Sequence, residues 1–100
     1  MTVYHYTNWP PRAFAGGLLP GSSATDYDGW TSESASVGLG IVPPTLVYPV
    51  TFDPVQVRFT VDVVPPNKFG AGGLIEYYFP NGTPRCSVGH PKSVPTVELD

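Results

Sequence analysis

Residues 44–64, PTLVYPVTFDPVQVRFTVDVV, decide the fold class of this chain. From Val57 to Val61 apolar and polar residues alternate, and successive side chains of a strand point to opposite faces. The stretch therefore predicts two strands, over Leu46–Phe52 and Val55–Val64. Pro49 has no backbone N–H, which predicts that the first of them is an edge strand or is bulged.

Further strands and two short helices are predicted on either side of this stretch. The remaining strands are predicted over residues 2–7, 74–79, 85–88 and 95–99, and residues 18–29 are predicted to be loop. Asn8 can cap a helix over Trp9–Ala15, and Thr31 can cap a second one over Ser32–Leu39. The pattern predicts an α+β fold that is mainly β, with two short helices near the N-terminus.

Length and composition restrict the classes of protein to which the chain can belong. One hundred residues suit a single domain over residues 1–100, and 13 Pro with 11 Gly leave little room for long helices. The formal net charge of −3 and five scattered Lys and Arg argue against a large nucleic-acid surface. Cys86 is the single cysteine, so we expect no internal disulfide and no metal site built from thiolates. We also expect no membrane span and no signal peptide.

Two side chains capable of chemistry, His5 and Glu76, lie in strand-like contexts. Glu76 alternates with apolar residues, and a buried unpaired carboxylate is kept where it is paired or useful. The alternatives are a solvent-facing glutamate and a histidine that only packs. Trp30, and less strongly Tyr27, could form the wall of a pocket for a flat ring, or Trp30 could be an ordinary core residue.

Five short segments, taken in order, resemble the ADP-ribosyltransferase toxin fold, in its diphtheria-toxin-like histidine–tyrosine–glutamate group. They are Tyr4-His5-Tyr6-Thr7, Gly17-Leu18-Leu19-Pro20, Gly29-Trp30-Thr31-Ser32, the strand from Leu46 to Pro54, and Leu74-Ile75-Glu76-Tyr77. The resemblance covers roughly residues 3–80 and implies a split β-sandwich. Small members of this fold occur as the C-terminal toxin domains of bacterial polymorphic toxins.

The resemblance implies a role for each candidate residue around NAD, which would be the substrate. Glu76 would be catalytic, binding the 2′-hydroxyl of the nicotinamide ribose and stabilising positive charge at the ribosyl carbon. His5 would bind the ribose on the adenosine side, and Trp30 would stack on nicotinamide. The cofactor-binding residues as a set would be His5, Tyr6, Thr7, Tyr27, Trp30 and Thr31, and no metal is implied.

Two positions depart from the family pattern. The family's second tyrosine is expected near Gly40, where the chain has none, so either the nicotinamide site is one-sided or Tyr6, Tyr27 or Tyr78 completes it. Leu74 stands two residues before Glu76, where members that modify arginine often carry an acidic or amide residue. That difference argues against an arginine acceptor.

By this resemblance the chain would be a mono-ADP-ribosyltransferase toxin domain that transfers ADP-ribose from NAD to a macromolecule. The acceptor would more readily be a protein than an RNA. A secretion system would deliver the domain to the cytoplasm of a target cell, and a cognate immunity protein would neutralise it. Two alternatives stay open: an NAD glycohydrolase toxin, and a β-rich interaction module without enzymatic activity.

Overall fold

The computed structural model describes residues 1–97. Within them lie six strands and one α-helix: β1 (Thr2–Thr7), β2 (Ser22–Ala24), α1 (Ser32–Leu39), β3 (Leu46–Thr51), β4 (Thr60–Val63), β5 (Ile75–Phe79) and β6 (Lys92–Ser93). The α+β class with a mainly β composition is thereby confirmed. Within residues 1–97, no helix has both the length and the apolar character needed to cross a bilayer.

The strands form two antiparallel sheets that meet at β1 and β2. The first sheet has the order β1-β3-β6, and the second has the order β2-β5-β4. At the junction, the backbone N–H groups of Tyr4 and Thr25 each donate to the other residue's carbonyl, both at 2.8 Å. This bridge places the middle of β1 beside β2 and so brings together residues that are distant in the sequence.

The two sheets share one apolar core. Val3, Tyr48 and Val50 enter it from the first sheet, while Ala24 and Phe79 enter it from the second. Because side chains alternate along a strand, the neighbours of these residues point away from the core. A second, smaller cluster lies where the other face of the first sheet packs on α1; its buried members are Tyr6, Ala35, Val47 and Val94.

The helix predicted over Ser32–Leu39 is confirmed at both ends. The Thr31 side chain accepts a hydrogen bond from the backbone N–H of Ser34 at 3.2 Å, as an N-cap does. Gly40 follows with φ 69°, a left-handed conformation that ends a helix most readily at glycine. Its N–H donates to the Ser36 carbonyl at 3.0 Å.

The helix predicted over Trp9–Ala15 is wrong, because only a 3-10 turn forms there, over Pro11–Phe14. The turn has no side-chain cap. Asn8, expected to supply one, instead donates to the Pro43 carbonyl at 3.1 Å and accepts from the Thr45 hydroxyl at 2.8 Å. Only one of the two predicted helices is therefore an α-helix.

The prediction that β3 is an edge or bulged strand is also wrong, since β3 is the central strand of its sheet. Pro49 pairs with Tyr4 of β1. Its carbonyl accepts from Gly89 N–H at 2.8 Å on the side away from β1. The N–H and C=O of a strand residue point to the same side of the strand. The nitrogen of Pro49, which carries no hydrogen, therefore points toward the Gly89 loop, and the hydrogen bonds between β3 and β1 are kept.

Several other strand boundaries differ from the sequence prediction, in one case because a turn forms in place of a strand. β2 lies inside the predicted loop, and the long strand expected from Val55 begins only at Thr60. Asp53 starts a turn there, with its carboxylate accepting from Val55 N–H at 2.9 Å. Residues 85–88 form no strand and contribute one isolated bridge. Residues 95–97 are not a strand, and positions 98–99 of that prediction lie outside the described residues.

Candidate functional site

His5 and Glu76 meet at one residue, Ser23 of β2. The Ser23 hydroxyl donates to Glu76 Oε1 at 2.6 Å. On the other side, Nδ1 of His5 lies 2.5 Å from the Ser23 carbonyl, an acceptor, so this ring nitrogen carries the proton. The side chains of positions 5 and 76 are thus linked through a single intervening serine.

Glu76 occupies the face of β5 that points away from the shared core. Tyr77 and Phe79 pack into that core, so alternation turns Glu76 outward, where it is half-buried. Within residues 1–97 no donor reaches its second oxygen, Oε2. Oε2 is therefore free to accept a hydrogen bond from a ligand.

Among residues 1–97, Glu76 also forms no ion pair. Its register partner across β4 is Asp62, another carboxylate. The one ion pair among the described residues joins Lys92 to Asp28 at 2.8 Å, far along the chain from either acid. Because Glu76 and Asp62 lie directly opposite each other and both carry negative charge, this face of β5 is electronegative. Such a pair destabilises a sheet.

A cavity of about 260 Å³ lies beside Glu76, and we call it the Glu76 cavity. It is lined by Tyr6, Ser23, Ala24, Leu39, Gly40, Ile41 and Glu76. No Lys or Arg is among the lining residues, and the wall at Leu39 and Gly40 is the C-terminal end of α1. A helix C-terminus carries partial negative charge, which adds to the charge of Glu76. The Glu76 cavity is therefore suited to a cationic or partly cationic ligand.

His5 lies behind Ser23 and does not line the Glu76 cavity. Its ring faces the shared core and packs edge-to-face on Phe14, with ring centroids 5.3 Å apart. Burial lowers the pKa of His5, and the hydrogen bond to the Ser23 carbonyl opposes that change only in part. Neutral His5 can hold Ser23 in place through the hydrogen bond to its carbonyl. A ribose bound in the Glu76 cavity would not contact His5, because His5 does not line this cavity.

The lowered pKa of His5 makes the stability of the fold depend on pH. The unfolded chain binds a proton at His5 more readily than the folded protein does, so stability is lost as pH falls through the unfolded value of about 6.5. We expect the free energy of unfolding, from urea titrations, to decrease from pH 7.5 to 5.5. His5→Gln should flatten that decrease, while His90→Gln, at an exposed position, should leave it in place. An unchanged slope in His5→Gln would contradict this assignment.

Tyr6 is the one aromatic residue that lines the Glu76 cavity. Its hydroxyl donates to the Tyr27 carbonyl at 2.9 Å and accepts from the backbone N–H of Trp30 at 3.1 Å. Burial raises the pKa of Tyr6. Thr7, the next residue in β1, is buried. Its hydroxyl accepts a hydrogen bond from the backbone N–H of Trp9, two residues later, at 3.1 Å.

Trp30, Tyr27 and Thr31 are not brought to Glu76. Trp30 and Tyr27 pack edge-to-face with ring centroids 5.1 Å apart, and Thr31 serves as the N-cap of α1. Trp30 forms part of a second cavity of about 400 Å³ instead. Its indole packs against the cluster between the first sheet and α1, but it does not line the Glu76 cavity.

Ser23 is the residue that sequence reasoning missed. It lies in a strand of three residues, too short to show an alternating pattern. The signal present in the sequence is the turn at Pro20-Gly21, which precedes Ser22 and could start a short strand. Leu39, which also lines the Glu76 cavity, was likewise considered only as the end of the predicted helix.

Of the remaining chemically capable groups, Asp28, His90 and Lys92 line a separate cavity of about 100 Å³. Cys86 is exposed. In the part of the chain that the structure describes, no three His, Cys, Asp or Glu side chains are grouped so that they could hold a metal ion. No protein-family model, curated protein or solved structure matches this chain.

Proposed function

We propose that the chain is an NAD-dependent mono-ADP-ribosyltransferase toxin domain with Glu76 as its catalytic residue. One observation carries the proposal: Ser23 holds Glu76 through one oxygen at the edge of the Glu76 cavity and leaves Oε2 free. Such an arrangement presents a fixed anion to a ligand, and a fixed anion is most effective where positive charge develops.

The chemistry requires an anion at this place. The bond between the nicotinamide nitrogen and the ribosyl carbon breaks, and the electron pair leaves with nicotinamide. The ribosyl carbon becomes positively charged until a nucleophile of the acceptor bonds to it and loses a proton. Oε2 of Glu76 would accept a hydrogen bond from the 2′-hydroxyl while the carboxylate stabilises the cationic centre. Both the nicotinamide ring of NAD, which is cationic, and this centre suit an electronegative cavity.

The size of the Glu76 cavity favours one half of the substrate. At about 260 Å³ it lies just below the range of about 300–1,000 Å³ typical of pockets for drug-sized ligands. It is therefore suited to the nicotinamide riboside half of NAD. Tyr6 would provide the aromatic surface that the resemblance implies for Trp30. Ser23, supported by His5, would position Glu76.

The wider assignment rests on the resemblance described above. Two sheets that meet at the bridge between Tyr4 and Thr25 are compatible with a split β-sandwich, which we propose as the finer description of the fold. The toxin role, delivery into the cytoplasm of a target cell, a protein acceptor and a cognate immunity protein are proposed on the same basis.

The test uses NAD labelled in its ADP-ribose half, incubated with the protein and a bacterial lysate as the source of acceptors. We expect the label to become covalently attached to a macromolecule, with release of nicotinamide. Protease and RNase treatment then separate a protein acceptor from an RNA acceptor. Free ADP-ribose as the sole labelled product would identify an NAD glycohydrolase. If NAD stays intact after prolonged incubation, the proposal is refuted, and a β-rich interaction module without enzymatic activity is the alternative that remains.

A further inference from the structure

The edge strand β4 has one side on which its backbone groups are unpaired. It lies at the end of the order β2-β5-β4. Val64, the next residue, exchanges backbone hydrogen bonds with Leu74 and Gly73 at 2.9 and 2.8 Å, so its N–H and C=O face β5. Because this direction alternates along an antiparallel strand, the backbone groups of Val61 and Val63 face outward. Within residues 1–97 no hydrogen-bond partner reaches this outward row.

The side chains along this edge are exposed on both faces of the sheet. Val61 and Val63 are 49% and 64% exposed, although they lie on the same face as Tyr77, which packs on the shared core. Thr60 and Asp62, on the other face, are exposed as well. Unpaired backbone groups beside exposed apolar side chains are the features through which an edge strand pairs with another chain.

The charges beside this edge are not balanced within one chain. Asp62 lies opposite Glu76, and neither they nor Arg58 form an ion pair among the described residues. Phe59 lies on the core side, with its ring centroid 6.1 Å from that of Tyr77. Alternation therefore directs Arg58 to the face of Asp62. A partner strand that offered a cation to Asp62 and an anion to Arg58 would compensate both charges, and the edge of β4 itself carries this pair.

One antiparallel register of β4 with a second copy of the chain pairs all these groups. With a two-fold axis at Val61, this residue meets its own counterpart, and Val63 meets the second copy's Phe59. The backbone groups of all these residues face outward, so hydrogen bonds form in both directions. Apolar side chains then meet on the core side. On the other face, Asp62 lies diagonal to the second copy's Arg58, a spacing that a long side chain can reach.

The neighbouring antiparallel registers do not fit. A register centred between Val61 and Asp62 would set outward-facing backbone groups against groups that face β5, so no ladder would form. A register centred on Asp62 keeps the hydrogen bonds but places the two aspartates directly opposite each other. Like charges in that position destabilise a sheet. The alternation of the sequence and its charges thus favour the register centred on Val61.

We propose that the outer edge of β4 is a homodimer interface, in which two copies pair antiparallel with Val61 at the two-fold axis. The two three-stranded sheets then join into one sheet of six strands. No residue of β4 lines the Glu76 cavity, so this cavity stays open in both copies. Because β4 has only four residues, the interface is smaller than the about 1,200–2,000 Å² typical of stable complexes, and the dimer is weak and concentration-dependent.

Disulfide trapping tests the interface and its register. Cys86→Ser removes the native thiol, and Val61→Cys or Val55→Cys is added in that background. Directly opposed Cα atoms of a hydrogen-bonded pair are about 5.5 Å apart, within the range of a disulfide. We expect Val61→Cys to form a covalent dimer on mild oxidation at least about tenfold faster than Val55→Cys, the change that corresponds to about 1.4 kcal/mol. Val55 is 91% exposed and lies outside β4, so it measures random collision. Equal rates would overturn the proposal.

Charge reversal tests the contact between Asp62 and Arg58 without a cysteine. Arg58→Asp and Asp62→Arg each replace two attractions across the axis by two repulsions, so each should weaken dimerisation by about tenfold in sedimentation equilibrium. The double variant restores opposite charges and should dimerise as the parent does. Single variants that match the parent, or a double variant as weak as the single ones, would contradict this register. Neither measurement involves NAD, so a monomer would refute this inference and leave the proposed function standing.

Discussion

Glu76→Gln should leave the protein folded and lower NAD cleavage by about 10²–10³-fold or more, the effect of removing one fixed electrostatic group from a transition state. Glutamine keeps the shape of the side chain and can still accept a hydrogen bond from Ser23, but it carries no negative charge. Initial rates of nicotinamide release measure the effect. Unfolding curves that superimpose on those of the parent protein would show that the fold is unchanged.

Two further variants separate charge from position. Glu76→Asp keeps the charge but shortens the side chain, so it should lose the 2.6 Å contact to Ser23 and retain part of the activity. Ser23→Ala keeps the carboxylate and removes its support, so turnover should fall less than in Glu76→Gln. A Glu76→Gln protein that cleaves NAD at the rate of the parent would remove Glu76 from the mechanism.

Phe79→Ala should reduce the free energy of unfolding by about 3–5 kcal/mol, the usual loss for a fully buried phenylalanine. Phe79 is 0% exposed and lies in β5, three residues after Glu76. It packs edge-to-face on Phe52 at 5.2 Å and lies 6.1 Å from the ring of Phe59. Because the total stability of a domain is about 5–15 kcal/mol, this single change should leave little margin.

Urea unfolding monitored by circular dichroism measures the loss. Val63→Ala is the matched control, since Val63 belongs to the same sheet and is 64% exposed. It should change stability by less than about 0.5 kcal/mol, as surface substitutions usually do. A loss below about 1 kcal/mol in Phe79→Ala would mean that the site collapses around the gap and that the shared core is not organised around this ring.

The parts of the fold that the sequence could predict are three strands rich in apolar residues and one helix with strong caps. Strand-like composition located β1, β3 and β5, and Thr31 with Gly40 located α1 at both ends. The failures occurred where tertiary contacts override local signals. Asn8 bonds across the chain to Pro43 instead of capping a helix, and β2 exists because the neighbouring strands pair with it.

The candidate site was predictable only in part, and for the same reason. Glu76 and His5 were identified from chemistry and strand context, and the structure links both to Ser23. The face of β1 that reaches the Glu76 cavity is that of Tyr6, which depends on how the sheets pack and not on alternation alone. Trp30 was predicted to lie beside nicotinamide, but it lines the second cavity and not the Glu76 cavity.

The order of pairing has a consequence for synthesis of the chain on the ribosome. β1 pairs with β3, and β2 pairs with β5, whose residues emerge about fifty positions later. Neither sheet can be completed from the first half of the polypeptide, and Ser23 has no carboxylate to bind until Glu76 has been translated. A product that terminates before Glu76 therefore lacks both the carboxylate and β5, so Ser23 and Glu76 can meet only in molecules translated at least through β5.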